Sequence, residues 1–133
     1  MSAERSSKSK FTPIEEWGDV YGFLDQVRAR PGMFVRHGSL SELETLLAGY
    51  SIALVVHGID EPQVFTANGL FAHWLAQEFG WPMVLGWAVA IEARAGQEPA
   101  LEVFFRLVDD FRPIAPGLTL PDHPPIPNTF ECG

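Results

Sequence analysis

The sequence predicts an all-α fold: a compact bundle of about five helices, a short extended segment after helix one, and a proline-rich C-terminal tail. Three observations carry this. Apolar side chains recur at helical spacing along most of the chain, Thr or Ser followed three positions later by Glu opens two stretches, and glycine closes two. Strand-like alternation competes with helix only in "WPMVLGWAVAIEARAG", where alanine favours helix.

Helix one is predicted over "TPIEEWGDVYGFLDQVRAR". Thr12 serves as N-cap, Pro13 as first helical residue and Glu15 completes a capping box. Ile14, Trp17, Val20, Tyr21, Leu24 and Val27 share one face, with Glu15, Glu16, Asp19 and Asp25 facing outward. Pro31 ends the helix by forcing Arg30 out of helical conformation, and Gly32 turns the chain. Met33, Phe34 and Val35 are predicted to be extended under the helix pair. Arg30, Pro31, Gly32 and Met33 are thus read as a structural turn, with Gly32 expected to matter if its φ is positive.

Helix two, "SLSELETLLAGYSIALVVHG", has Ser39 and Glu42 as its capping box and Gly58 as terminator. Leu40, Leu43, Leu47, Tyr50 and Leu54 form its stripe. Helix three, "LFAHWLAQEFG", turns Phe71, Trp74, Leu75 and Phe79 inward and stops at Gly80. Helix four takes Val84, Trp87, Ala88 and Ile91 as its apolar side. Helix five, "EPALEVFFRLVDDF", starts near Pro99 and buries Leu101, Phe104, Phe105, Val108 and Phe111. The segment "RPIAPGLTLPDHPPIPNTFECG" holds six prolines and cannot continue as helix or interior strand. The organisation read from this is a basic leader at 1–11, a helical domain at 12–112 and an extended tail at 113–133.

A chain of 133 residues, 47% apolar, can build one packed core. Residues 1–11 hold Arg5, Lys8 and Lys10 against Glu4, a net of +2. The other residues carry 6 basic and 16 acidic side chains, a net of −10, which sums with the leader to the −8 of the whole. Such a body repels nucleic acid and anionic lipid and attracts a basic protein. No apolar run reaches the roughly 18 residues that span a bilayer, and no apolar segment follows "MSAERSSKSK" as in a secretory signal. Cys132 is the sole cysteine, which rules out an internal disulfide or a thiolate metal cage. A cytoplasmic location is expected.

No catalytic constellation is legible. His37, His57, His73 and His123 form neither H-E-x-x-H nor an i, i+4 pair, so no metal site is expected. Asp109 and Asp110 are consecutive on a helix and point about 100° apart, which disfavours a dyad. No cofactor is implied. Trp17, Trp74, Trp81, Trp87, Phe104 and Phe105 could line a ligand pocket, but in a small helical domain such residues usually fill the core.

The fragment "RARPGMFV" resembles the R-x-R-P-G-M-Y stretch near the start of the ATPase region of type II topoisomerase B subunits. That family builds its nucleotide site with an Asp-x-Gly-x-Gly turn, a Gly-rich lid, and a helix carrying Glu and Asn. This sequence contains no Gly-x-Gly, and "LETLLAGYSIAL" contains no Asn. Phosphate needs glycines so that backbone N–H groups can approach it. The match is therefore read as coincidental.

Taken together, "RARPGMF", "SLSELETLLAGY", "FAHWLAQEFGW", "GWAVAI" and "ALEVFFRLVDDF" resemble small single-domain bacterial proteins associated with immunity against polymorphic toxins. The resemblance spans residues 20–111 and implies a non-enzymatic binding module. Its motifs are turn and packing residues, so it supplies no catalytic ones. The expected partner is a basic protein, such as a toxin domain. Candidate contact groups are Glu15, Glu16, Asp19, Asp60, Glu61, Glu98, Glu102, Asp109 and Asp110, the solvated carboxylates of the predicted surface. The alternative is a small-ligand or regulatory domain built around the aromatic residues.

Overall fold

The computed structural model describes residues 12–120. Five α-helices carry the fold: α1 (Val20–Ala29), α2 (Leu40–Val56), α3 (Leu70–Phe79), α4 (Trp87–Ala95) and α5 (Ala100–Phe111). Short 3-10 turns cover Ile14–Glu16, Pro31–Met33, Arg36–Gly38 and Ala115–Gly117, and no strand occurs among the described residues. Helices α2, α4 and α5 pack on one another, and the Pro31–Met33 turn lies against α1.

The helix ends follow local chemistry. Ser39 Oγ accepts the Glu42 N–H at 3.1 Å and caps α2. Glu42 does not complete the box, because its carboxylate turns to the Arg36 N–H at 2.8 Å and the Arg36 guanidinium at 3.1 Å. The far end closes as a Schellman motif: Gly58 N–H reaches Val55 O at 3.2 Å and Ile59 N–H reaches Leu54 O at 2.9 Å. Gly80 ends α3 in the left-handed region, as the sequence predicts. The ambiguous stretch is helical, but it begins at Trp87 rather than Val84.

The first predicted helix needs correction. Ile14–Glu16 is a 3-10 turn, and Thr12 and Pro13 do not start α1. Gly18, at φ 83°, breaks the chain there, and Asp19 is the true N-cap, accepting the N–H groups of Tyr21 and Gly22 at 3.0 and 3.2 Å. Ile14 is consequently 69% exposed instead of sharing the core face. The expected extended segment is also mostly turn: two 3-10 turns flank Val35, which alone is extended and buried. Phe79 and Val84, expected inside, stand 44% and 90% exposed.

The core is aromatic. Phe71 is fully buried, with the rings of Phe65, Trp74, Trp87, Phe104 and Phe111 around it at centroid distances of 5.1–6.1 Å. Trp87, equally buried, donates its indole N–H to the Phe65 carbonyl at 3.0 Å, so its polar atom is satisfied. The start of the proline-rich tail belongs to the fold: Ala115 is buried and Leu118 packs on the core. Residues 1–11 and 121–133, which hold the basic leader and the remainder of the tail, lie outside the described residues.

Candidate functional site

Pro31 and Gly32 of the Arg-Pro-Gly-Met turn and one side of α5 face each other across an open groove of about 940 Å³. Buried Val35, Leu101 and Phe105 give it an apolar floor, and Pro31 and Pro99 stand at its sides. Arg28, Arg106, Glu102, Asp109 and His37 line it with polar groups. None of its lining side chains carries a hydroxyl, thiol or amine nucleophile. The groove thus combines an apolar floor with charged side chains along its lining.

Its arginines are occupied from within. Arg28 makes a bidentate pair with Asp109 at 2.8 and 2.9 Å, tying the last turn of α1 to α5, and its guanidinium lies 5.2 Å from the Phe105 ring centroid. Arg106 makes a second bidentate pair with Glu98, both bonds 3.0 Å. Those hydrogen bonds hold the Glu98 carboxyl below its ordinary pKa and push the Arg106 guanidinium up, with smaller contributions from Glu102 and Asp110. Glu102 and Asp110 thus stand beside Arg106, exposed and with no ion pair of their own among the described residues. Elsewhere Arg36 pairs with Glu42, Arg94 lies over the Trp81 ring at 4.9 Å, and Arg112 lies over Tyr21 at 4.4 Å, 3.9 Å from Asp25.

Of the nine carboxylates predicted as contact groups, the structure gathers Glu98, Glu102, Asp109 and Asp110 at or beside this groove. Glu15 and Glu16 are exposed on the 3-10 turn before α1, and Asp60 is exposed in the loop after α2. Asp19 and Glu61 have structural work. Asp19 caps α1, and Glu61 accepts the Val20 N–H at 2.9 Å and the Tyr50 hydroxyl at 2.9 Å. Burial, then the bond to Glu61, pushes the Tyr50 hydroxyl's pKa up. Asp19 and Glu61 also line a separate recess of about 370 Å³, with Tyr21, Leu70, Arg112 and Leu118.

Gly32 lines the groove in ordinary geometry: its φ is not positive, and an added Cβ meets nothing within 4 Å. The condition for a cost at Gly32, a positive φ, is therefore not met, and Gly32→Val is expected to melt close to the wild type. The strained residue is His37, the only non-glycine residue with positive φ among those described, at φ 55° and ψ 27°. Sequence reasoning missed it. The one available signal is "RHG", since His tolerates the left-handed region better than most residues.

The six aromatic residues considered for a ligand pocket go mainly to the core. Trp74, Trp87, Phe104 and Phe105 are buried, Trp17 and Trp81 pack against the cluster, and only Phe105 reaches the groove. Among the described residues no set of three or more His, Cys, Asp or Glu is placed to hold a metal ion, and no helix is long and apolar enough to cross a membrane. Compared with known protein families, curated proteins and solved structures, the chain matches none.

Asp109 and Asp110 therefore differ in kind. Reversing Asp110 to Lys is expected to leave the melting temperature within about 2 °C, as for an exposed charge with no ion pair among the described residues. Asp109→Lys sets an ammonium against Arg28 and is expected to cost about 1 kcal/mol, a fall of roughly 3–5 °C in a domain of this size. Parallel thermal melts check both. Equal shifts would show that the bidentate pair contributes nothing.

Proposed function

We propose that this chain is a non-enzymatic binding module, a cytoplasmic bacterial immunity or antitoxin-like protein that neutralises a basic partner through the groove beside the Arg-Pro-Gly turn. One observation carries the reading. Arg28, Arg36 and Arg106 pair with internal carboxylates and Arg94 and Arg112 lie over aromatic rings, while Glu102 is exposed in the groove and Asp110 is exposed beside Arg106, outside its lining. Glu98, Glu102, Asp109 and Asp110 thus stand against Arg28 and Arg106 at or beside a concave, apolar-floored surface. Complementary charge speeds encounter, and a desolvated apolar centre supplies affinity. The toxin domain expected as partner would present a basic protrusion with an apolar tip.

The experiment is affinity isolation of the full chain from its native host, followed by intact-mass analysis of what remains bound. A stoichiometric basic protein, lost on Glu102→Lys with the melting temperature unchanged, supports the reading. A second reading rests on the 370 Å³ recess, which is within the roughly 300–1,000 Å³ of small-molecule sites. There Arg112 and Tyr21 would hold an anionic or aromatic small ligand. A small molecule in the intact-mass spectrum, lost on Arg112→Ala, would favour that reading over the first.

A further inference from the structure

The basic leader joins the fold close to the groove. Thr12 is fixed on α1: its N–H donates to Gln26 Oε1 at 2.9 Å, and its carbonyl accepts the Trp17 indole N–H at 2.9 Å. Gln26 is two positions before Arg28, which lines the groove. The Trp17 ring stands 6.4 Å from that of Phe34, the neighbour of Val35 on the groove floor. The residues before Thr12 can reach roughly 35 Å when extended. Charge is complementary at the two ends of that reach. Glu98, Glu102, Asp109 and Asp110 less Arg28 and Arg106 give −2 at or beside the groove. Arg5, Lys8 and Lys10 less Glu4 give the leader +2.

We propose that the leader, residues 1–11, folds back into the groove and occupies it until a basic partner displaces it. Its cations meet Glu102 and Asp110, the carboxylates there with no ion pair of their own among the described residues. Exposed ion pairs are individually weak, but a short tether holds its charges at millimolar effective concentration. A contact of only millimolar affinity then fills the groove about half the time. Such an occupant turns away proteins that are merely basic. It yields to one that also packs on the apolar floor of Val35, Leu101 and Phe105, because a desolvated centre supplies the affinity that rim charges lack. The competition rests on the groove being the partner's site. The leader's occupancy does not, and it is measurable on the chain alone.

The test is paramagnetic broadening in the amide NMR spectrum of the full chain, with a nitroxide on Ser2→Cys. Cys132→Ser, which removes the sole native cysteine, leaves the label one site. At low salt the amides of Val35, His37, Glu102 and Arg106 are expected to lose intensity, while Val64 and Leu70 at the separate recess keep theirs. Lys8→Glu with Lys10→Glu is expected to restore the groove signals, and so is added salt, which screens exposed charges. Groove signals that keep their intensity overturn the inference. So does broadening that survives the reversal, or broadening centred instead on Glu16 or on the recess. No partner is present, so none of these outcomes bears on the capture reading, which stands or falls on the isolation experiment.

Discussion

Phe71→Ala is expected to destabilise the protein by about 3–5 kcal/mol, the range for removing a fully buried aromatic side chain. Phe71 has no exposed surface and stands where five other rings converge, from the loop before α3 and from α3, α4 and α5. Its loss removes apolar burial and edge-to-face contacts, and leaves a void that large rigid rings cannot collapse to fill. Native domains are stable by only about 5–15 kcal/mol, so a large share of the total goes. The melting temperature should fall by roughly 15 °C or more. Val84→Ala, at a residue 90% exposed, should stay within about 0.5 kcal/mol. Similar melting of the two variants would mean that the aromatic cluster is not the core.

Gly22→Ala should reverse the usual rule for helices. In a helix interior, alanine normally stabilises relative to glycine by about 1 kcal/mol. Here a Cβ would land on the backbone carbonyl of Trp17. The positive φ of Gly18 brings that carbonyl over α1, while the Trp17 ring packs against Phe23 and Phe34. Accommodation must displace backbone, and overpacking of this kind costs about 1–3 kcal/mol or more. The expected result is a net loss of about 1 kcal/mol where alanine normally stabilises, with faster proteolysis in the segment 12–19 as it lifts off α1. An alanine variant as stable as the wild type would show that the segment does not lie there.

These two sites mark what the sequence does and does not disclose. The bundle was legible because α2, α3 and α5 repeat apolar residues at helical spacing and end on local chemistry: Ser39 at one start, Gly58 and Gly80 at two ends. The start of α1 was misread because Thr12-Pro13 and Glu15 satisfy the grammar of a cap equally well. Gly18-Asp19, which break the chain and then cap it, were the better signal. Exposure of Val84 and Phe79 is a tertiary matter, since spacing places a residue on a face but not that face against a neighbour. The carboxylates of α5 were legible as charge, but not their partners. Arg28 and Asp109 are 81 positions apart, and only the fold brings them together. The groove was invisible for the same reason: one wall is the Arg-Pro-Gly turn and the other is α5.

The claim that an acidic, apolar-floored groove captures a basic protein is tested most directly by one measurement. It is the association rate constant with the isolated partner as a function of ionic strength, taken for the wild type and for Glu102→Lys/Asp110→Lys. Exposed charges steer encounter over about 8–10 Å at physiological salt, and steering raises rates by roughly 10–10³-fold. The wild-type rate should fall at least tenfold between low and high salt. The double reversal should begin near that high-salt value and respond little to added salt, with its melting temperature almost unchanged. If both rates are flat with salt and equal to each other, electrostatic capture through this groove is wrong.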